Sequence, residues 1–234
     1  MWPIFASANK FVCIIFSPNS LVCCWLEKVK NGSAPLIVRA YKQYSLDNLE
    51  LANLVLFNPT IIKQYISSFL QEHNLENAFI AFIMQGPAVV EQFVAMPTST
   101  PHYIDFGITN NARSVLWEYR YVYPNHDGQF VFYVYTVPRS LILQYQLLAI
   151  ALQCNLITIT TQTMALLFAY QNIFGTAFRR SQLAVDMMRH NDNIGDIITM
   201  DALRRMVNIG TLDPSNWLYC SAAAGLFSSE RIDT

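Results

Sequence analysis

Phe11-Val-Cys-Ile-Ile-Phe16 and Leu21-Val-Cys-Cys-Trp-Leu26 are apolar runs on either side of the turn Ser17-Pro-Asn-Ser20. Runs of β-branched and aromatic residues are typical of strands, and Pro and Asn are typical of the tight turn between two strands. The sequence therefore predicts a β-hairpin over 11–26. A strand–turn–strand is also the shape of a phosphate-binding hairpin, so the chemistry of the turn decides between the two interpretations.

The turn lacks the groups that a phosphate site needs. Such a turn presents small residues whose backbone N–H groups face the ligand, usually with an acidic residue for the metal. Ser17, Asn19 and Ser20 are small or polar, but Pro18 has no N–H group and the turn contains no carboxylate. We therefore interpret Ser17, Asn19 and Ser20 as a degenerate phosphate turn and favour a plain hairpin.

Other candidate sites carry little chemistry. Asp105-Phe-Gly107 matches an Asp-x-Gly turn, but the Thr98-Ser-Thr-Pro-His-Tyr segment before it is not typical of a buried strand. The four histidines are scattered, with no HExxH motif and no grouping with cysteine. We expect no catalytic residue, no metal site and no cofactor.

The composition is unusually hydrophobic and indicates a protein that binds other proteins. Of 234 residues, 53% are hydrophobic and 13% are charged, about half the usual charged fraction. Surplus apolar surface usually marks an interaction site. A net charge of −1 gives no electrostatic case for nucleic acid. No apolar run reaches the roughly 20 residues that span a bilayer, so we expect a cytoplasmic protein that partners hold at the membrane.

The five cysteines contain no CxxC pair and are expected to be reduced and buried.

The order of predicted elements indicates an α/β fold, a mixed sheet with packed helices. Strands are predicted over 10–16, 20–29, 35–44, 78–84, 114–123, 129–137 and 156–159. Helices are predicted from Pro59 to about 72, from 138 to 152, and from a cap at Thr160 or Thr161 to about 172. Residues 95–112 are predicted as loop or short helix. We place a domain boundary near 175, which gives a domain over 1–175 and a helical segment over 176–234, with helices at 177–190, 199–208 and 213–224.

Two adjacent strands are unusually aromatic. Alternation predicts that Trp117, Tyr119, Tyr121 and Tyr123 share one face of a strand. On its partner, Phe132 lies on one face, and Tyr133 and Tyr135 lie on the other. One interpretation is an ordinary sheet face covered by helices. The other is a surface that binds a partner peptide through these seven residues, since tyrosine combines apolar area with a hydroxyl group.

Over about 10–172 the chain resembles the PilM family, the actin-like proteins of type IV pilus and competence machinery, and the related cytoplasmic domain of the secretion protein GspL. The resemblance rests on a shared pattern of elements: the hairpin 11–26, the strand 36–44, the helix 58–72 before Ala78–Met84, the segment Val94-Ala-Met-Pro97, Trp117-Glu-Tyr-Arg-Tyr121, Phe132–Pro138 and Asn155–Ala169. Ala222-Ala-Ala-Gly-Leu226 resembles the helix that closes PilM chains. The resemblance as a whole implies a truncated actin-like (ribonuclease H-like) fold.

Two departures from the family concern nucleotide. The family's Asp-x-Gly-Ser turn is Phe16-Ser-Pro-Asn-Ser20 here, and the second actin-like half, with its second phosphate loop, is missing between about 176 and 210. One lobe alone cannot close a cleft over ATP. The resemblance therefore implies a scaffold without ATPase activity.

The resemblance also implies a function. PilM-like proteins bind a short cytoplasmic peptide of a PilN-like inner-membrane protein, so we expect a non-catalytic adaptor of a pilus, DNA-uptake or secretion machine. The alternative is a residual actin-like ATPase that uses Asn19, Ser20 or Asp105. A third hypothesis is a structural subunit that only self-associates.

Overall fold

The structure, a computed structural model, describes residues 10–29, 36–46, 51–102, 106, 114–124, 127–175, 185–186, 194–208 and 216–228. The strands are β1 (Lys10–Ser17), β2 (Ser20–Lys28), β3 (Leu36–Ser45), β4 (Leu51–Ala52), β5 (Val55–Leu56), β6 (Phe79–Met84), β7 (Val90–Met96), β8 (Val115–Pro124), β9 (Phe130–Pro138), β10 (Asn155–Thr161) and β11 (Val207–Asn208). The helices are α1 (Pro59–Glu72), α2 (Arg139–Leu152), α3 (Gln162–Phe174), α4 (Ile194–Ile197), α5 (Met200–Met206) and α6 (Trp217–Ser228).

The central sheet is mixed and has the order β10-β6-β1-β2-β3-β11. β1 runs antiparallel to β2 and parallel to β6, and β6 runs parallel to β10. From Phe11 to Ser17 every residue of β1 is buried, because helices cover both faces of the strand. The predicted hairpin and the predicted mixed α/β fold are confirmed.

The helices begin where the sequence predicts. Asn58 caps α1 by accepting a hydrogen bond from the backbone N–H of Ile61, and Pro59 occupies the first helical position. Thr161 caps α3 in the same way, through the N–H of Met164 at 3.2 Å. Both helices turn an apolar face to the central sheet.

A second sheet has the order β7-β9-β8 and is antiparallel throughout. β7 was not predicted, and it overlaps the first residues of the segment predicted as loop. All of its first six residues are at least partly exposed and include Glu91 and Gln92, so the strand has no strong apolar alternation. Its backbone pairing with β9 creates the strand. Residues 103–105 and 107–113 of the predicted loop lie outside the described residues.

The segment after 194 joins the main core. α6 packs on α3, and its Ala222, Ala223 and Ala224 are fully buried in the same hydrophobic cluster as β1 and β2. Phe227 stacks on Phe11 with ring centroids 4.6 Å apart. The division at 175 stays a prediction, and the helices at 199–208 and 213–224 correspond to α5 and α6. The helix predicted at 177–190 lies outside the described residues apart from 185–186.

The cysteines are free and differ in burial. Cys13, Cys23, Cys24 and Cys220 are fully buried. Cys154 is half-buried, and burial raises its pKa to about 11.

We expect only Cys154 to react with iodoacetamide in the native protein, and slowly. With a pKa of about 11, only about 0.1% of this thiol is the reactive thiolate at pH 8, so the rate should rise about tenfold per pH unit up to pH 11. Mass spectrometry of peptides after timed labelling measures this. Fast labelling of any of the other four cysteines under native conditions would contradict the packing described above.

Candidate functional site

The degenerate phosphate turn is held by hydrogen bonds to other parts of the protein. Ser17 and Ser20 pair across the hairpin, and their side chains are buried. The Ser17 hydroxyl donates to Oε1 of Gln85 at 3.2 Å, and the carbonyl of Asn19 accepts from the N–H of Leu46 at 3.0 Å.

Asp105 and Gly107, the other candidate turn, lie outside the described residues. Among the residues that are described, no group of three His, Cys, Asp or Glu side chains could hold a metal ion.

The structure divides the seven predicted aromatic residues between two faces. Trp117, Tyr119 and Tyr121 lie on the outer face of the second sheet with Phe132, and we call these four residues the outer aromatic face. Tyr123, Tyr133 and Tyr135 are buried in the main core instead.

The predicted position of Tyr123 on the same face as Tyr121 is wrong. The register of β8 against β9 shifts between these two residues, so that Tyr121 lies opposite Phe132 and Tyr123 opposite Val131. A bulge at Val122 adds one residue and reverses the alternation beyond it.

The outer aromatic face is partly covered. The rings of Trp117 and Tyr119 are nearly parallel at 5.8 Å, and Tyr119 contacts Phe132 edge-on at 5.6 Å. Phe106 packs on it, 5.2 Å from Tyr119 and 6.0 Å from Phe132. Tyr119 remains 37% exposed. The rings of the outer aromatic face therefore pack mainly on one another and on Phe106, and the Tyr119 ring is the most prominent exposed one.

The inner face of the second sheet is fixed to the central sheet by tyrosine hydroxyl groups. The Tyr133 hydroxyl lies 2.6 Å from both Oε1 of Glu91 and Oγ1 of Thr161, and Tyr135 donates to Glu118. Burial raises the pKa of both tyrosines well above the usual value, and the neighbouring carboxylates add to the shift. Both hydroxyl groups therefore remain protonated at neutral pH, and that of Tyr133 joins the second sheet to β10 of the central sheet through Thr161.

A cleft lies where the two sheets meet. It has a volume of about 510 Å³, within the roughly 300–1,000 Å³ of small ligand sites. Its walls come from β8, β9 and β10, and α2 contributes Ile142 and Gln146. The lining residues are Met84, Leu116, Trp117, Glu118, Tyr135, Val137, Ile142, Gln146, Leu156, Ile157, Thr158 and Ile159. Glu118 is the one charged residue among them.

Two strand edges border the cleft. β8 is the last strand of the second sheet, and β10 is the last strand of the central sheet. Within the described part of the chain, each has a strand partner on one side only. Their outer backbone N–H and C=O groups can therefore pair with an added segment.

Sequence reasoning found part of this cleft. Tyr135 and Trp117 were predicted to bind a partner, and both border the cleft, although the Trp117 ring stacks on Tyr119 on the outer aromatic face. Tyr119 and Tyr121 do not line the cleft. The contributions of α2 and β10 were missed, because nothing local in 142–159 indicates that these elements meet β8.

No protein-family model matches the sequence, and no curated protein matches it. Among solved structures, a chain of the PilM–PilN type IV pilus biogenesis complex matches with a TM-score of 0.53 and 11% identity, over 69% of this chain and 50% of that chain. The cytoplasmic domain of EpsL, an inner-membrane component of the type II secretion system of Vibrio cholerae, matches at 0.42 and 11%, over 67% and 59%. A Bacteroides thetaiotaomicron protein with an actin-like ATPase fold and unknown function matches at 0.37 and 10%, over 74% and 60%.

The match to the PilM–PilN complex establishes a likeness of fold. The chain spans about half the length of the chain that it matches there. At 11% identity, function does not follow from this match. The predicted resemblance is confirmed at that level: this chain has an actin-like α/β fold of the kind found in the PilM–PilN complex.

Proposed function

We propose that this chain is a non-catalytic adaptor of a type IV pilus, DNA-uptake or related secretion machine, and that it binds an extended cytoplasmic peptide of a PilN-like inner-membrane protein. The observation that carries the proposal is the cleft between the free edges of β8 and β10. The shared fold supports the proposal, because the matching chain belongs to a complex that pairs PilM with PilN.

The cleft suits an extended apolar segment. Strand edges on two sides supply backbone hydrogen bonds, and side chains such as Leu116, Ile157 and Ile159 supply apolar contact. Leu116 is 36% exposed, so a peptide side chain can cover it. Since Glu118 is the one charged group in the lining, a strongly acidic segment is disfavoured.

The turn at Ser17–Ser20 supports the absence of catalysis. Its serine side chains are buried, and that of Ser17 is bonded to Gln85, so a phosphate would have to displace contacts within the protein. No helix among the described residues is long and apolar enough to cross a membrane. In this proposal the PilN-like partner provides the attachment to the membrane from the cytoplasmic side.

Leu116→Glu is expected to weaken binding of a synthetic PilN-like cytoplasmic peptide at least tenfold, because the peptide would bury an unpaired carboxylate, which costs more than about 1.4 kcal/mol. Tyr119→Glu is the matched control. The two residues lie three positions apart on β8, are 36% and 37% exposed, and therefore point to opposite faces. Isothermal titration calorimetry should show wild-type affinity, within about twofold, for the control.

Two results would contradict the proposal. Loss of binding in Tyr119→Glu with normal binding in Leu116→Glu would move the site to the outer aromatic face. Heat of binding from magnesium-ATP at millimolar concentration, abolished by Ser20→Tyr, would favour the residual ATPase instead.

A further inference from the structure

The solvent face of α2 is apolar. Leu143, Leu147 and Ile150 are 55%, 57% and 71% exposed, and we call these three residues the α2 stripe. The opposite face of the helix is fully used, since Leu141, Tyr145, Leu148 and Ala149 are buried in the main core. An exposed apolar row on a helix whose other face is already packed indicates an interaction surface.

The spacing of the α2 stripe is that of a helix–helix contact. Its residues are four and three positions apart, which is the a/d spacing of a two-helix seam. Phe57, which is 63% exposed, lies beside the helix, because the N–H of its neighbour Leu56 donates to the side chain of Gln144 at 3.1 Å. It extends the apolar surface on one side of the stripe.

The lack of charge around the α2 stripe limits which partners could bind it. No charged residue occurs between Arg139 and Arg179 in the sequence. Beyond its first residue, Arg139, this helix offers no charged group to complement an acidic or basic partner. Helices that lie on membrane surfaces carry lysine and arginine along their polar face, and α2 carries only Arg139, at its first position. The partner that best fits an uncharged apolar helix face is therefore the same face of a second copy of the chain.

We propose that the α2 stripe binds the α2 stripe of a second copy of this chain, with the two helices antiparallel. About a two-fold axis near Leu147, that residue contacts Leu147 of the second copy, and Leu143 contacts Ile150 of the second copy. This arrangement places Arg139 beside the C-terminal end of the opposite helix, where a cation is stabilised. A parallel pair would bring the two Arg139 side chains together instead.

The size of the surface sets the strength of the dimer. A helix of 14 residues is about 21 Å long, and the stripe with Phe57 covers less than the roughly 800 Å² per partner of a standard interface. The dimer is therefore weak, with a dissociation constant on the order of micromolar. The self-association is independent of the peptide in the cleft, since the α2 stripe faces solvent and the cleft uses other residues of α2.

Sedimentation equilibrium of the purified chain from low to high micromolar concentration tests the dimer. Wild type should change from monomer to dimer, and Leu147→Lys should weaken the association at least tenfold, since each copy would place a lysine opposite the other. Val90→Lys is the control, because Val90 is 61% exposed but lies on β7, outside the α2 stripe. A wild-type monomer at every concentration, or equal weakening by both substitutions, would overturn the proposal.

Disulfide trapping tests the orientation. Leu147→Cys should form a covalent dimer under mild oxidation, because the two-fold axis passes near this position. Leu143→Cys should not, because its two copies would lie about 12 Å apart along the helices, beyond the reach of a disulfide. Wild type is the control, since four native cysteines are buried and Cys154 is half-buried. Equal trapping at both positions would contradict the antiparallel arrangement.

Discussion

Tyr145→Ala is expected to lower the free energy of unfolding by about 4 kcal/mol, the usual cost of removing a large buried aromatic ring. Tyr145 is fully buried. Its ring meets Phe16 of β1 edge-on at 4.5 Å and Phe82 of β6 at 6.1 Å, so it fixes α2 to two central strands. The cavity would open at the centre of the sheet, where little can collapse into it.

Tyr145→Phe separates the ring from the hydroxyl group. That hydroxyl donates to the carbonyl of Leu54 at 2.9 Å, and Leu54 is itself buried with a positive φ of 67°. Losing the donor should cost about 1–2 kcal/mol, because a buried carbonyl is left unpaired. Urea denaturation followed by circular dichroism measures both variants. Equal losses for Tyr145→Ala and Tyr145→Phe would show that the ring contributes nothing.

Gly225→Ala is expected to lower the free energy of unfolding by about 2 kcal/mol or more. A Cβ atom at this position of α6 would lie 2.2 Å from the backbone oxygen of Ala165 and 2.6 Å from the backbone nitrogen of Ala169. Neither atom can rotate away, so α6 must shift from α3, and overpacking of this kind costs about 3 kcal/mol. The gain of about 1 kcal/mol in helix propensity is smaller.

Gly128→Ala is the control for this substitution. Gly128 has φ of +73°, but among the described residues nothing beyond its chain neighbours lies within 4 Å of an added Cβ, so the expected cost is the backbone strain of about 1 kcal/mol alone. The two variants are compared in the same urea titration. A smaller effect at Gly225 than at Gly128 would mean that α6 does not pack on α3 as closely as the structure shows.

Local signals in the sequence predicted most of the fold. The apolar runs 11–16 and 21–26, the capping residue Asn58 with Pro59, and Thr161 before α3 each determine their element through neighbouring residues. β7 and the bulge at Val122 were missed because pairing with β9 determines them, and that pairing is not visible in a single strand. The error at Tyr123 follows from the same cause.

The candidate site was less accessible to sequence reasoning. The aromatic strands were recognised, but alternation alone could not show which face is solvent-exposed and which faces the cleft. The cleft unites Leu116 of β8, Ile142 of α2 and Ile157 of β10, which are far apart in sequence. Their proximity follows from the order of strands in the two sheets. The exposure of the α2 stripe could not be predicted from the sequence either. Apolar residues occur on both faces of this helix, so the pattern does not distinguish the buried face from the exposed one.

Amide hydrogen exchange with and without a synthetic PilN-like cytoplasmic peptide tests the central proposal most directly. If the peptide lies in the cleft as an added strand, exchange should slow at the outward N–H groups of β8 or β10, the two edge strands that border the cleft, and remain unchanged at the hairpin turn Ser17–Ser20 and on α6. The contrary result would be saturated peptide binding with no protection on either strand, or with protection confined to the β7 edge of the second sheet.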